Sequence, residues 1–152
     1  MIATTVSRVP CHTAEEVNER IRLQTEENIN RFGSAHADEI AERLHELDQE
    51  WDIERAIEAN ASTVILVSAA LGTFVHRRFW ALPAVVAGFL LQHAVQGWCP
   101  PIPLLRRLGF RTQYEIEQER YALKALRGDF ENVSGIPGIA RRTDGVLEAV
   151  RR

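Results

Sequence analysis

The sequence predicts an all-α chain, an integral membrane helical hairpin with cytoplasmic amphipathic helices on both sides. Three observations carry that expectation. Apolar residues recur at helical spacing or fill whole helical circumferences, and no alternating strand of useful length interrupts them. Charge is segregated: residues 1–60 hold 14 acidic and 6 basic side chains, whereas residues 61–111 hold five Arg and no Asp or Glu. Two apolar stretches, residues 61–75 and 79–98, lie inside one acid-free run and are parted only by His76-Arg77-Arg78.

Size and composition narrow the field. A chain of 152 residues, 45% hydrophobic and 26% charged, is one ordinary domain and neither collagen-like, mucin-like nor wholly disordered. Two cysteines, Cys11 and Cys99, are too few for a disulfide framework and point to a reducing compartment. Arg outnumbers Lys 17 to one, a bias that coding composition explains without a nucleic-acid partner. Residues 1–30 contain no signal-peptide core, and Glu15, Glu16 and Glu19 are wrong for a transit peptide.

Taken in order, residues 1–12 read as an extended arm containing Pro10. Thr13-Ala14-Glu15-Glu16 is a capping box that opens a helix carrying Val17, Ile21 and Phe32 and ending at Gly33. A second helix starts near Ser34; Ile40, Leu44, Leu47 and Trp51 form a narrow seam suited to a homodimer. No Pro or Gly interrupts residues 34–71, so that helix is expected to run straight into the first apolar stretch. The hairpin helices are expected at about 59–76 and 79–98, with Pro83 harmless in a first turn. Cys99-Pro100-Pro101-Ile102-Pro103 stops the second. Thr112-Gln113-Tyr114-Glu115 is another capping box, opening a helix over 113–128, and Gly135, Pro137, Gly138 and Gly145 make 129–152 a flexible tail. The layout is thus 1–58, 59–112, 113–128 and 129–152.

The membrane expectation rests on further features. Trp80 and Trp98 stand 18 residues apart, roughly 27 Å along a helix, with an aromatic at each interface. Folding back at Arg77 and Arg78 opposes Ser68 to Gly88 and Gly72 to Ala84, small residues that allow close helix approach. Arg43, Arg55, Arg106, Arg107 and Arg111 flank the hairpin against Arg77 and Arg78 in its loop, which places both termini in the cytoplasm. Trp80, Trp98, Arg77, Arg78, Arg106 and Arg107 are then the interface anchors.

Asn60 before the first stretch, the tight basic turn, and Gly97-Trp98-Cys99-Pro100 followed by Leu108-Gly109-Phe110-Arg111-Thr112 resemble the YgaP-like inner-membrane domain over about residues 52–112. In that family two membrane helices end in Gly-x-Cys-Pro, followed shortly by Leu-Gly-x-x-Thr. The resemblance implies a bacterial inner-membrane hairpin, often dimeric and sometimes fused to a rhodanese. Cys11, in Val9-Pro10-Cys11-His12-Thr13, lacks the Gly- and Arg-rich loop of a rhodanese, so sulfurtransferase activity is not implied.

Candidate chemistry is sparse. Cys99 is the best candidate for a reactive thiol, with Arg106 and Arg107 nearby to lower its pKa and a helix C-terminus to raise it; equally, it fills a tight corner. Gln92, His93 and Gln96 oppose Thr63 and Asn60 and read as an interhelical polar lock rather than a transport site. Glu42-x-x-His45 has a di-iron spacing, but occurs once and reads as a solvated face. No catalytic, cofactor or metal residues are assigned, and no enzyme is expected. The expected role is a membrane anchor or scaffold in the bacterial inner membrane, dimeric, with the bilayer and an unidentified protein as partners. Two alternatives stand beside it: a soluble all-α oligomeric interaction module, and Cys99 as a membrane-surface thiol in sulfur handling.

Overall fold

The structure is a computed structural model that describes residue 4, residues 6–131, and residues 146 and 150. Most of the expected tail, 129–152, lies outside the described residues. The described elements are α1 (Glu15–Arg31), α2 (Ala37–Gln49), α3 (Ile53–Phe74), α4 (Ala81–Gln96), α5 (Ile102–Arg107) and α6 (Gln113–Arg127). Short 3-10 turns occupy Pro10–His12 and Arg77–Trp80. The chain divides into two units, one of Met1–Leu23 and Trp51–Glu115, the other of Gln24–Glu50 and Ile116–Arg152.

In the first unit α3 begins where Asp52, in extended conformation, accepts the Arg55 amide at 2.7 Å. That cap, with the Ile53 amide held by the Arg111 carbonyl at 2.8 Å, breaks what the uninterrupted helical pattern of residues 34–71 reads as one helix. Ile53, Ala56 and Ile57 then pack with Val9, Cys99, Ile102 and Leu105 as the unit's core. Further along, Ser68 and Gly72 are the buried positions of α3. A Cβ on Gly72 would lie 2.8 Å from the Trp80 ring, so Trp80 folds back on α3 there, whereas a Cβ on Gly88 would meet open space. Gly97 ends α4 in the left-handed region (φ 79°), its amide bonding the His93 carbonyl at 2.8 Å.

α6 opens on the Thr112 box: the Glu115 carboxylate accepts the Thr112 amide at 2.7 Å and Thr112 Oγ1 accepts the Glu115 amide at 3.2 Å. At Thr13 the hydroxyl instead donates to the Val9 carbonyl at 2.9 Å. Arg106 is fully buried, bidentate to Glu115 at 2.7 and 2.8 Å, and also donates to the Phe110 carbonyl and Asn18 Oδ1.

In the second unit Ile40, Leu44 and Leu47 of α2 pack against Ile116 and Leu123 of α6, with Phe32 and Ala35 beside them. The seam expected to form a homodimer is therefore covered by the chain's own helix. Trp51 stays half exposed under the Arg55 guanidinium, 4.4 Å from its ring. Glu119, wholly buried, accepts from Arg43 at 2.8 Å and from Asn28 at 3.3 Å. Burial opposes the Arg43 charge, but its bonds to Glu46 and Glu119 outweigh burial and push its pKa up. Glu119→Gln is expected to destabilise the protein by about 2 kcal/mol, read by denaturant titration, because it leaves Arg43 without its inner counter-charge.

The all-α class stands, and the membrane hairpin does not. Residues Ala37–Phe74 and Arg77–Gln96 are long and apolar enough to cross a bilayer by length and composition alone. The ionic packing at the hairpin's base overturns that arrangement. His93 Nε2 meets Glu54 at 2.5 Å, Arg8 binds the other Glu54 oxygen at 2.8 Å and reaches the Ala94 carbonyl, and His12 lies 3.1 Å from the Gln96 carbonyl. A charged arm thus sits against the end of α4, on the carbonyls of its last turn and on Glu54. The apolar stretch ahead of the Glu54-bound His93, residues 79–91, rises about 20 Å against a hydrocarbon core of about 30 Å. The bilayer partner, the inner-membrane location and the topology with cytoplasmic termini go with that reading, as does the role of membrane anchor.

Candidate interaction surface

α3 and α4 run antiparallel because the 3-10 turn Arg77–Trp80 reverses the chain, with His76 Nδ1 accepting the Arg78 amide at 3.1 Å. Where the pair meets the Cys99–Pro101 corner and α5, a groove of about 380 Å³ opens. Ile57, Val64, Val86, Phe89, Leu90 and Leu105 line it, with Asn60 and Cys99 among their neighbours. Trp98 closes edge-on to Phe89, ring centroids 6.2 Å apart.

Cys99 is buried in this wall, and burial pushes its thiol pKa up. Arg106, expected to draw a proton off it, spends its guanidinium on Glu115, Asn18 and Phe110. The arrangement favours an inert, protonated thiol. In a timed alkylation with iodoacetamide, exposed Cys11 is expected to react first and Cys99 at least about tenfold more slowly.

The other residues singled out by the sequence separate. His93 is buried and takes Glu54, not Thr63, as its partner, and among the described residues its Nδ1 makes no hydrogen bond. Thr63 turns its hydroxyl back to the Ala59 carbonyl at 2.7 Å, and Asn60 its amide to Ala56 at 3.3 Å. Gln96 contributes its carbonyl to His12, and Gln92 is partly exposed. Among the described residues no side-chain hydrogen bond joins these five to one another across the two helices. Arg77, Arg78 and Trp80 are exposed at the hairpin tip, Arg106 is buried, and the Arg107 carbonyl accepts from Arg20 at 3.0 Å. His45 engages Gln49, and no cluster of three or more metal-ligating side chains occurs among the described residues.

Sequence reasoning missed Glu54 and Arg8. The available signal was an acid flanked by the buried Ile53 and Ile57 at the mouth of the apolar run, a position that requires a counter-charge. The hairpin's outer surface, which the sequence assigns to lipid, is left open. Leu66 is 70% exposed, Phe74 86% and Leu91 67%, with Val67, Val75, Leu82, Val85 and Val95 exposed around them.

No protein-family model, curated protein or solved structure matches the chain. The resemblance to the YgaP-like domain is corrected accordingly: its motif residues are present, but no family match supports them, and Glu54 at the hairpin base is held by the Arg8 guanidinium and the His93 ring.

Proposed function

We propose that the chain is a soluble all-α interaction module that associates with further copies of itself through the uncharged surface of α3 and α4. One observation carries this reading. Large apolar side chains lie exposed along two adjacent helices, and no Asp or Glu occurs from residue 59 to residue 114 to interrupt them. Monomeric proteins rarely expose contiguous apolar patches beyond a few hundred Å², and larger ones mark sites of association. The ion pairs at the hairpin base support protein rather than lipid as the covering phase. In this reading the chain works by binding, with no catalytic step.

Light scattering on the purified full chain without detergent is expected to return a multiple of the 17.2 kDa chain mass. Leu66→Glu combined with Leu91→Glu is expected to return the single-chain mass with helical content intact, because each puts a charge on the associating face. A soluble wild-type monomer overturns the proposal.

A further inference from the structure

The outer face of α3 has a pattern that specifies how two copies meet. Ala59, Ser62, Leu66, Ala69 and Thr73 follow a 3-4-3-4 spacing, the seam of a two-helix coil. Ser62, Leu66 and Thr73 are exposed and Ala59 and Ala69 half-buried, on a different face from the buried Ile57, Ser68 and Gly72. Four of the five seam residues are small, which admits a second helix at the short end of the usual 8–10 Å axis separation. Charge sits only at the ends of this seam. Asp52, Glu54 and Glu58 lie at its start, with Arg55 stacked on Trp51 and Glu54 bound to Arg8 and His93. Arg77 and Arg78 lie just past its finish, exposed and without an ion pair among the described residues.

A parallel pair of such helices would set Glu58 beside Glu58 and Arg77 beside Arg77. An antiparallel pair sets unlike charges together. Resting on the self-association reading above, we infer that the second copy docks antiparallel along α3, with Ser62 opposite the second copy's Thr73 and Leu66 opposite its Ala69. In that register Glu58 comes nearest the second copy's Arg77 and Arg78, which stand just past the end of its α3 in the reversing turn, twice over by symmetry. Phe74 reaches over the small residues of the second copy's first uncharged turn, residues 59–63. The middle of the seam supplies the contact, and its charged ends select the direction.

Disulfide trapping tests the direction. Full-length chains carrying Cys11→Ser with either Ser62→Cys or Thr73→Cys are mixed, exchanged and oxidised mildly. The mixture is expected to give a disulfide-linked dimer, while neither variant alone does. Crosslinking of each variant alone means a parallel pair and overturns the direction while leaving self-association intact. A dimer by light scattering with no crosslink in the mixture overturns the α3 seam, and a monomer overturns the self-association reading itself. As a second readout, Glu58→Arg is expected to weaken dimerisation about tenfold and Glu58→Arg with Arg77→Glu to restore it. Absence of restoration contradicts the Glu58–Arg77 pairing.

Discussion

Glu115→Ala is expected to destabilise the protein by about 3–5 kcal/mol, a drop of roughly 10 °C in melting temperature. The reason lies in Arg106, fully buried, whose two guanidinium nitrogens rest on Glu115 at 2.7 and 2.8 Å. Removing the carboxylate leaves a cation out of water with only the Phe110 carbonyl and Asn18 Oδ1 as acceptors. The Thr112 amide loses its partner at the same time. Arg106→Met is expected to cost less, because Glu115 is partly exposed and can hydrate. Differential scanning calorimetry on both variants checks the order.

The same pair sets an acid limit. Burial raises the Glu115 pKa, but the bonds from Arg106 and from Thr112 outweigh it and hold the carboxyl below its ordinary 4.5. Folded Glu115 therefore binds a proton less readily than it does in the unfolded chain. Its contribution is complete above the unfolded value and is lost as pH falls through the lower folded value. The stability gap between wild type and Glu115→Gln is expected to be constant near neutrality and to narrow in acid below 4.5. A gap that widens in acid contradicts the assignment.

Gly97→Val is the second large effect, expected at about 3 kcal/mol or more. Two penalties add at this position. A φ of 79° lies where a β-branched residue is strained by about 1–2 kcal/mol. A Cβ there would also stand 2.5 Å from the Arg8 Cβ and 2.6 Å from its carbonyl oxygen, so the arm must lift off the end of α4. Lifting the arm breaks the Arg8 bonds to Glu54 and Ala94 and the His12 contact with Gln96. Amide exchange is expected to rise at Gly97 and over the 3-10 turn Pro10–His12 before α3 is affected. Unchanged protection in the arm argues that it does not depend on this contact.

Features decided within one turn were the most legible in the sequence. The Thr112-x-x-Glu115 box closes because both partners lie on the first turn of one helix. The Thr13 box reads identically, yet its hydroxyl goes to Val9, a competition no local pattern reveals. The break before α3 was hidden because one aspartate, Asp52, makes it inside an unbroken helical pattern. Arg106 looked like an exposed cation because its partner lies nine residues away, beyond the Gly109 turn. Periodicity identified the apolar faces of α2 and of the hairpin but not their covers. For α2 the cover is α6, in place of a second copy; for the hairpin base it is a charged arm, in place of lipid.

On the proposed reading, protein covers the hairpin's apolar surface. Fractionation of cells expressing the full chain, lysed without detergent and washed in alkaline carbonate, tests it most directly. Release into the supernatant as a particle of twice the 17.2 kDa chain mass is expected. Retention in the membrane pellet after the wash would contradict it.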